Sequence, residues 1–258
     1  MLSADNGSAQ DIEAHYLAAL ESDPTHPEAL EALESLARSA GNLGQLVQLL
    51  ELRERIATDA AARRTLLAEI AALYTSLNQP AEAVIPLQRL AEQSPADLAV
   101  QENLGKALVA AGRVDEGERI LLALVERMSR SKQNKSVARL HQVLGTLAES
   151  RGDLALADQR LTLAYQLDPT HAATLASLAR IATHRNEAEK ARRFYRSLLL
   201  HNFDEKSLGI TKGEVYYALG RLHLQASEVP KARNMFERAL ECEPHNPAFK
   251  LALTELPR

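Results

Sequence analysis

The residues of this chain most able to perform chemistry are its eight histidines and its single cysteine, Cys242. No pair of histidines has the H-E-x-x-H spacing of a helical zinc site, and one cysteine forms neither an internal disulfide nor a Cys-based zinc site. Glu241 and Glu243 flank Cys242, and their charges oppose formation of the reactive thiolate. His223 is better interpreted as a packed side chain than as a catalytic base. We therefore expect no catalytic, metal-binding or cofactor-binding residue and no enzyme activity.

The elements that would position any site are predicted to be helices. Hydrophobic residues make up 46% of the 258 residues, aromatic residues only 4%, and the apolar residues are mostly Ala and Leu, which favour helix. The eleven glycines fall at turns and helix contacts, and none forms a phosphate-binding loop. The composition therefore predicts an all-α protein with a sizeable core.

The charge is unevenly distributed along the chain. Residues 1–97 hold 6 Lys/Arg and 15 Asp/Glu, a net charge of −9, whereas residues 98–258 hold 24 and 19, a net charge of +5. The overall charge of −4 argues against general nucleic-acid binding. The asymmetry suits the steering of a charged partner, and it is equally compatible with solvated helix faces.

The first residues, "MLSADNGSAQ", contain acids and no apolar run, which is unlike a signal or transit peptide. No apolar stretch is long enough for a membrane span, which needs about 18 residues. We expect residues 1–10 to be disordered and the protein to be cytoplasmic, unless the chain is a fragment of a longer one.

A repeated pattern of apolar and small residues runs through the sequence. It is clearest in "VYYALGRLHLQASEVPKARNMFERALECEPHNP" (215–247), which contains Leu219-Gly220, Phe236 and Pro244. The same arrangement returns at Leu144-Gly145, Leu161 and Pro169, and in weaker form elsewhere. One helical hairpin cannot bury its apolar face alone, so such repeats stack on one another.

This pattern resembles the tetratricopeptide repeat family, whose period is about 34 residues. The resemblance implies a right-handed superhelical solenoid of antiparallel helix hairpins over 11–258, with an N-terminal half-repeat and a capping helix at 247–258. The predicted repeats are 27–60, 64–97, 98–131, 138–171, 172–205 and 213–246. The first departs most, because Glu34 and Leu46 stand where small residues are usual.

Local signals support these helices. Gly105, Gly145 and Gly220 would let two helices approach closely, and Asp153 is a suitable N-cap. Pro80 fits the first turn of a helix, whereas Pro86 falls inside one and should kink or shorten it.

The resemblance also implies which side chains face the concave groove. Lys106, Arg180 and Arg221 occupy one position in three repeats and should form a single basic track, flanked by Arg139 and His184. Repeat two offers only a small and bland surface there, such as Ala68 and Ala72. The candidate peptide-binding residues are Asn103, Lys106, Arg139, Gln142, Arg180, His184, Tyr217, Arg221 and Gln225. Equally, the cations could be solvated or paired with the nearby Glu102, Glu149 and Glu214.

The function implied by the resemblance is that of a protein-interaction scaffold or adaptor. Its partner would be a peptide, acidic segment or helix of another protein, held in the C-terminal half of the concave groove, with no membrane or nucleic acid involved. Two alternatives stay open: a self-associating assembly module, and an accessory domain of a larger chain that is enzymatic or regulatory. The sequence leaves the oligomeric state undetermined.

Overall fold

The computed structural model describes residues 4–257, with side-chain environments from residue 11 onward. This part of the chain consists of α-helices joined by short turns, without strands. The helices are α1 (Ala4–Ser22), α2 (Pro27–Ala40), α3 (Leu43–Ile56), α4 (Ala60–Ser76), α5 (Pro80–Gln93), α6 (Leu98–Ala110), α7 (Val114–Arg130), α8 (Asn134–Ser150), α9 (Leu154–Leu167), α10 (Ala172–His184), α11 (Ala188–Leu200), α12 (Glu205–Leu208), α13 (Lys212–Gln225), α14 (Val229–Cys242) and α15 (Pro247–Thr254).

The helices form an all-α helical-repeat solenoid fold, which confirms the predicted fold class. The chain divides into two compact units, Met1–Leu124 (unit 1) and Val125–Arg258 (unit 2), with the division inside α7. Each unit is described separately, and a single continuous array over 11–258 stays a prediction. Except for α1, α12 and α15, the helices pair into six hairpins, in which the first helix is α2, α4, α6, α8, α10 or α13.

The turn inside each hairpin has the same backbone conformation. One residue is left-handed, with φ between 56° and 81°, at Gly41, Asn78, Gly112, Gly152, Asn186 and Ser227. The next residue donates its N–H to a carbonyl five positions earlier, as Asn42 does to Ala37 over 2.9 Å. This bond satisfies a carbonyl that the end of the first helix leaves without a partner. All six turn residues stand at the fifteenth position of the predicted repeats, counting Gly41 from Pro27.

Side-chain caps begin many of the helices. The Asp153 carboxylate accepts the N–H of Leu156 at 2.9 Å, as predicted, and Asp59 and Asp97 cap α4 and α6 in the same way. Such a cap contributes about 1 kcal/mol. Thr211 and Glu214 form a reciprocal capping box at the start of α13. The turns and caps together fix where each helix starts and stops.

The core of unit 1 lies between its hairpins. Leu33, Leu50 and Ile70 are almost fully buried in one cluster, and Leu67, Leu87 and Leu108 belong to the next. In the first hairpin, the buried Glu34 accepts two hydrogen bonds from Arg53, at 2.9 and 3.2 Å. The atypical residue of repeat one is therefore accommodated by an ion pair.

The core of unit 2 is larger in its middle hairpin. Leu175, Ile181 and Leu198 have no exposed surface there, and Tyr165 meets Phe194 edge to face with ring centroids 5.4 Å apart. Phe236 is the largest fully buried side chain and forms a second cluster that α15 covers with Leu256.

Glycines allow the closest approaches between helices of one hairpin. A Cβ on Gly117 would lie 2.6 Å from the backbone oxygen of Gly105 and 2.9 Å from the backbone nitrogen of Val109. A Cβ on Gly220 would lie 2.4 Å from the ring of Phe236. These distances are shorter than van der Waals contact, so a larger residue would separate the helices.

Two expectations differ from the structure. Residues 4–10 belong to α1 and are helical, whereas we predicted that residues 1–10 are disordered; residues 1–3 lie outside the described residues. No proline occurs before Pro24, so the helix is not interrupted, and Gly7 costs it only about 1 kcal/mol. Pro86 was expected to kink or shorten α5. It is buried and does not shorten the helix, which spans 14 residues like α3, and a kink stays a prediction.

Between residues 4 and 257, the helices are all too short or too polar to cross a lipid bilayer.

Candidate functional site

Unit 1 contains a cavity of about 510 Å³ between its first helices α4 and α6, which we call the inner-face cavity. Small side chains of both helices leave this space open, including Ala68, Ala72 and Ala110, while Leu87 and Leu90 of α5 also contribute to its lining. Its volume falls within the range of ligand pockets, about 300–1,000 Å³. The small residues of repeat two, which were expected to form only a small and bland surface, therefore line the inner-face cavity.

Two of the predicted binding residues belong to this cavity. Asn103 and Lys106 line it from α6, and Asn103 is exposed without a hydrogen-bond partner among the described residues. Lys106 forms an ion pair with Glu102, one helical turn earlier. The cavity therefore offers an apolar space bordered by a free carboxamide and a partly neutralised ammonium group.

The first-helix face of unit 2 contains the predicted Arg180, and the structure pairs it with Glu149. Its Nε and Nη2 each donate to a carboxylate oxygen of Glu149 over 2.7 Å, linking α10 to α8. These hydrogen bonds raise the pKa of Arg180. A two-pronged contact of this kind largely neutralises the guanidinium, so the alternative of intramolecular pairing is realised at this position.

The other predicted residues of unit 2 are less constrained. Arg221, His184 and Gln225 are exposed and have no polar partner in the described part of the chain. Arg139 donates to the Ser136 hydroxyl at 3.3 Å and is also exposed, while Gln142 is half-buried. Because Lys106 lies in unit 1, the basic track as a whole stays a prediction.

Tyr217 is half-buried and packs against two aromatic rings. Its ring stacks on Phe249 with centroids 5.1 Å apart and lies 5.6 Å from the ring of Phe236. The ring packs α15 against α13, and the contact of Tyr217 with a ligand stays a prediction. The sequence did not reveal this packing because Phe249 belongs to the capping helix, outside the repeat pattern.

His223 lies in a buried cluster that joins α11 to the following hairpin. Only 3% of its surface is exposed. Its Nδ1 lies 2.6 Å from Glu228, which also accepts from Arg192, and its Nε2 lies 3.3 Å from Arg196. A carboxylate can only accept, so Nδ1 carries the proton towards Glu228 and Nε2 accepts from Arg196. Arg192 Nη1 lies 3.2 Å from the same Nδ1 and donates to Glu228 instead, over 2.7 Å. Both ring nitrogens are thus occupied in linking two repeats.

This cluster predicts an acid-dependent loss of stability. Hydrogen bonds from Lys231 and from His223 lower the pKa of Glu228 from 4.5 to about 2. Because the folded pKa is depressed, the stabilisation is complete above about pH 4.5 and is lost as the pH falls towards 2. We expect the urea midpoint to fall between pH 5 and pH 3 by more in the wild type than in Glu228→Gln. An equal fall in both proteins would contradict this prediction.

Cys242 is an exposed thiol at the end of α14. Partial burial, followed by the charges of Glu205, Glu243 and Glu241, raises the pKa of the Cys242 thiol, as the sequence suggested. In the described residues, His, Cys, Asp and Glu side chains do not converge in a group of three that could hold a metal ion.

Comparisons with known proteins agree with this architecture. Residues 217–255 match the family model described as Tetratricopeptide repeat. No curated protein sequence matches the chain. Together with the six hairpins in the described residues, the match confirms the predicted resemblance to the tetratricopeptide repeat family.

Several solved structures share the fold. PilF of Pseudomonas aeruginosa is 16% identical with a TM-score of 0.59, over 96% of this chain and 97% of that one. YrrB, described as a tetratricopeptide-repeat protein with an unusual peptide-binding site, is 16% identical with a TM-score of 0.51, over 74% and 91%. A chain of the APC/C hetero-tetramer Cut9–Hcn1 is 15% identical with a TM-score of 0.55, and the match covers 95% of this chain but 45% of that chain. At these identities the similarity shows the fold alone.

Proposed function

We propose that this chain is a protein-binding module, and that it holds an extended segment of another protein against the first-helix face of its repeats. The observation that carries the proposal is the inner-face cavity, in which small residues at ligand-facing positions of repeat two leave about 510 Å³ open. YrrB, which has the same fold, is described as having a peptide-binding site, and the Cut9–Hcn1 chain belongs to a protein complex.

The inner-face cavity suits a partner segment that inserts one apolar side chain and places its polar backbone at the rim. A leucine-sized or aromatic side chain of the partner would fill the space beside Leu87 and Ala72, where burial of apolar surface supplies affinity. Asn103 would then hydrogen-bond a backbone amide of the extended segment, which has unsatisfied donors and acceptors of its own. Because the helices are already in place, little ordering free energy is required.

Charge favours acidic residues in the segments that the two units bind, each unit being considered by itself. Lys106 lies at the cavity of unit 1, and in unit 2 the exposed Arg139 and Arg221 have no carboxylate partner in the described chain. Arg180 contributes only if a ligand carboxylate displaces Glu149. We propose Asn103 and Lys106 as contacts in unit 1. In unit 2 the proposed contacts are Arg139, Gln142, Arg180, His184, Tyr217, Arg221 and Gln225.

A peptide-display selection tests this function. We expect wild-type protein to enrich segments with one large apolar residue and neighbouring Asp or Glu. Ala72→Phe, which fills the cavity from an exposed position on α4, should weaken the enriched peptides by at least about tenfold, or about 1.4 kcal/mol. Ala123→Phe is the matched control, because Ala123 is exposed on the second helix α7, outside the cavity.

The affinities of the two variants distinguish the possible outcomes. Loss of binding in Ala72→Phe with retention in Ala123→Phe supports an anchor in the inner-face cavity. Equal affinities for all three proteins, or no enrichment at all, would reject this function.

A further inference from the structure

A second concave surface lies in unit 2, between the second helices α11 and α14, with α13 as its floor. Its volume is about 680 Å³, and we call it the outer groove. Its apolar lining includes Leu199, Leu200, Tyr216 and Met235. It shares no residue with the inner-face cavity, which belongs to unit 1.

Comparison with the preceding junction explains why the groove is open. Between α9 and α11, Tyr165 and Phe194 fill the corresponding space with two aromatic rings in contact. In the registers 138–171, 172–205 and 213–246, the equivalent residues at the next junction are Leu199 and Met235. Two smaller and more flexible side chains replace two rings, so space is left over.

Leu200 breaks the pattern of the repeats. It is 83% exposed and lines the groove together with Leu199, Tyr216 and Met235, so it extends an apolar patch. At the same position the other five repeats have polar or charged residues, namely Arg55, Glu92, Glu126, Gln166 and Glu241. Most of the Leu200 side chain is exposed to solvent in the folded chain. Burial by a partner would remove this apolar surface from water.

The charged side chains that line the groove itself are of one sign. Arg196, Lys231 and Arg238 line it, and its described lining contains no Asp or Glu. Lys231 pairs with Glu228, while Arg238 lies 5.8 Å from the centre of the Tyr216 ring without a carboxylate partner in the described chain. Glu237 and Glu241 border only the neighbouring cleft.

We propose that the outer groove binds an acidic amphipathic α-helix of a partner protein. Apolar residues on one face of that helix would cover Leu199, Leu200 and Met235, and carboxylates along its edges would meet Arg196 and Arg238. A helix suits the surface because it satisfies its own backbone hydrogen bonds and needs none from α11 and α14. A groove between two helices also suits the ridges-into-grooves packing of a third helix.

The test uses the full chain and a displayed library of helix-stabilised peptides of about 15 residues, which span about 22 Å. The selection uses the wild-type protein alone, and Leu200→Glu is measured afterwards. Leu251→Glu is the matched control because Leu251 is 57% exposed on α15 and does not line the groove. We expect enriched helices to have Leu, Met or Phe at i, i+4 and i+7 and a net negative charge. Leu200→Glu should weaken them by at least about tenfold, and Leu251→Glu should leave them unchanged.

Charge reversal adds a positive readout. Arg196→Glu with Arg238→Glu should lose the acidic helix and gain affinity for the same peptide with Lys in place of Glu. Ala72→Phe should leave helix binding intact, so failure of the inner-face proposal does not affect this one. Enrichment of basic helices, equal binding by Leu200→Glu, or loss in Ala72→Phe would each overturn the proposal. A concentration-dependent dimer that Leu200→Glu abolishes would also overturn it, by showing that a second copy occupies the groove.

Discussion

Replacing Phe236 with alanine is expected to lower the free energy of unfolding by about 4 kcal/mol. The ring is 1% exposed and fills the space beside Gly220. Its loss would also remove one aromatic neighbour of Tyr217 and so weaken the packing of α15 against the last hairpin. Urea denaturation of the full chain, followed by far-UV circular dichroism, measures the change.

Leu251→Ala is the control for this prediction. Leu251 is 57% exposed, so its truncation should change stability by no more than about 0.5 kcal/mol. If Phe236→Ala and Leu251→Ala shifted the denaturation midpoint equally, the last hairpin would not be held together by the Phe236 cluster.

Gly117→Ala is expected to destabilise unit 1 by about 2 kcal/mol, although alanine is the better helix former. The added Cβ would meet the backbone of Gly105 and Val109 at 2.6 and 2.9 Å, and backbone atoms cannot move aside as a side chain can. We estimate a strain of about 3 kcal/mol, offset by about 1 kcal/mol of helix propensity.

The matched control is Gly44→Ala. Gly44 also lies in a helix, but the nearest atom to its added Cβ would be 3.9 Å away, so the substitution should be neutral or stabilising by up to about 1 kcal/mol. The two alanine substitutions should therefore act in opposite directions. Stabilisation by both would show that α6 and α7 do not approach as closely as the structure has them.

Much of the fold could be predicted from the sequence because each repeat encodes it locally. The positions of Gly41, Gly112 and Gly152 mark turns that require a left-handed residue, and Asp153 marks a helix start. Asn186 and Ser227 adopt the same turn without a glycine, so only the shared register of the six repeats identifies them. Local turn chemistry and hydrophobic spacing were sufficient for the hairpins.

The site was harder to predict because it depends on distances between repeats. Arg180 and Glu149 are 31 residues apart, and only the packing of α8 against α10 brings them into contact. The inner-face cavity beside Ala72 arises because several positions together carry small side chains, and no single residue predicts it. The register of the repeats identifies which residues share a helix face. It does not identify which of those residues form ion pairs, or where small side chains leave a cavity in that face.

The central claim is that a partner segment anchors in the inner-face cavity, and alanine-methyl NMR tests it most directly. The measurement titrates the enriched peptide into the full chain carrying isotope-labelled alanine methyl groups. We predict that the methyl resonances of Ala68, Ala72 and Ala110, which line the cavity, shift together and saturate with the affinity measured for the peptide. Shifts confined to second-helix residues such as Ala123 and Ala155, with the cavity methyls unchanged, would contradict the account.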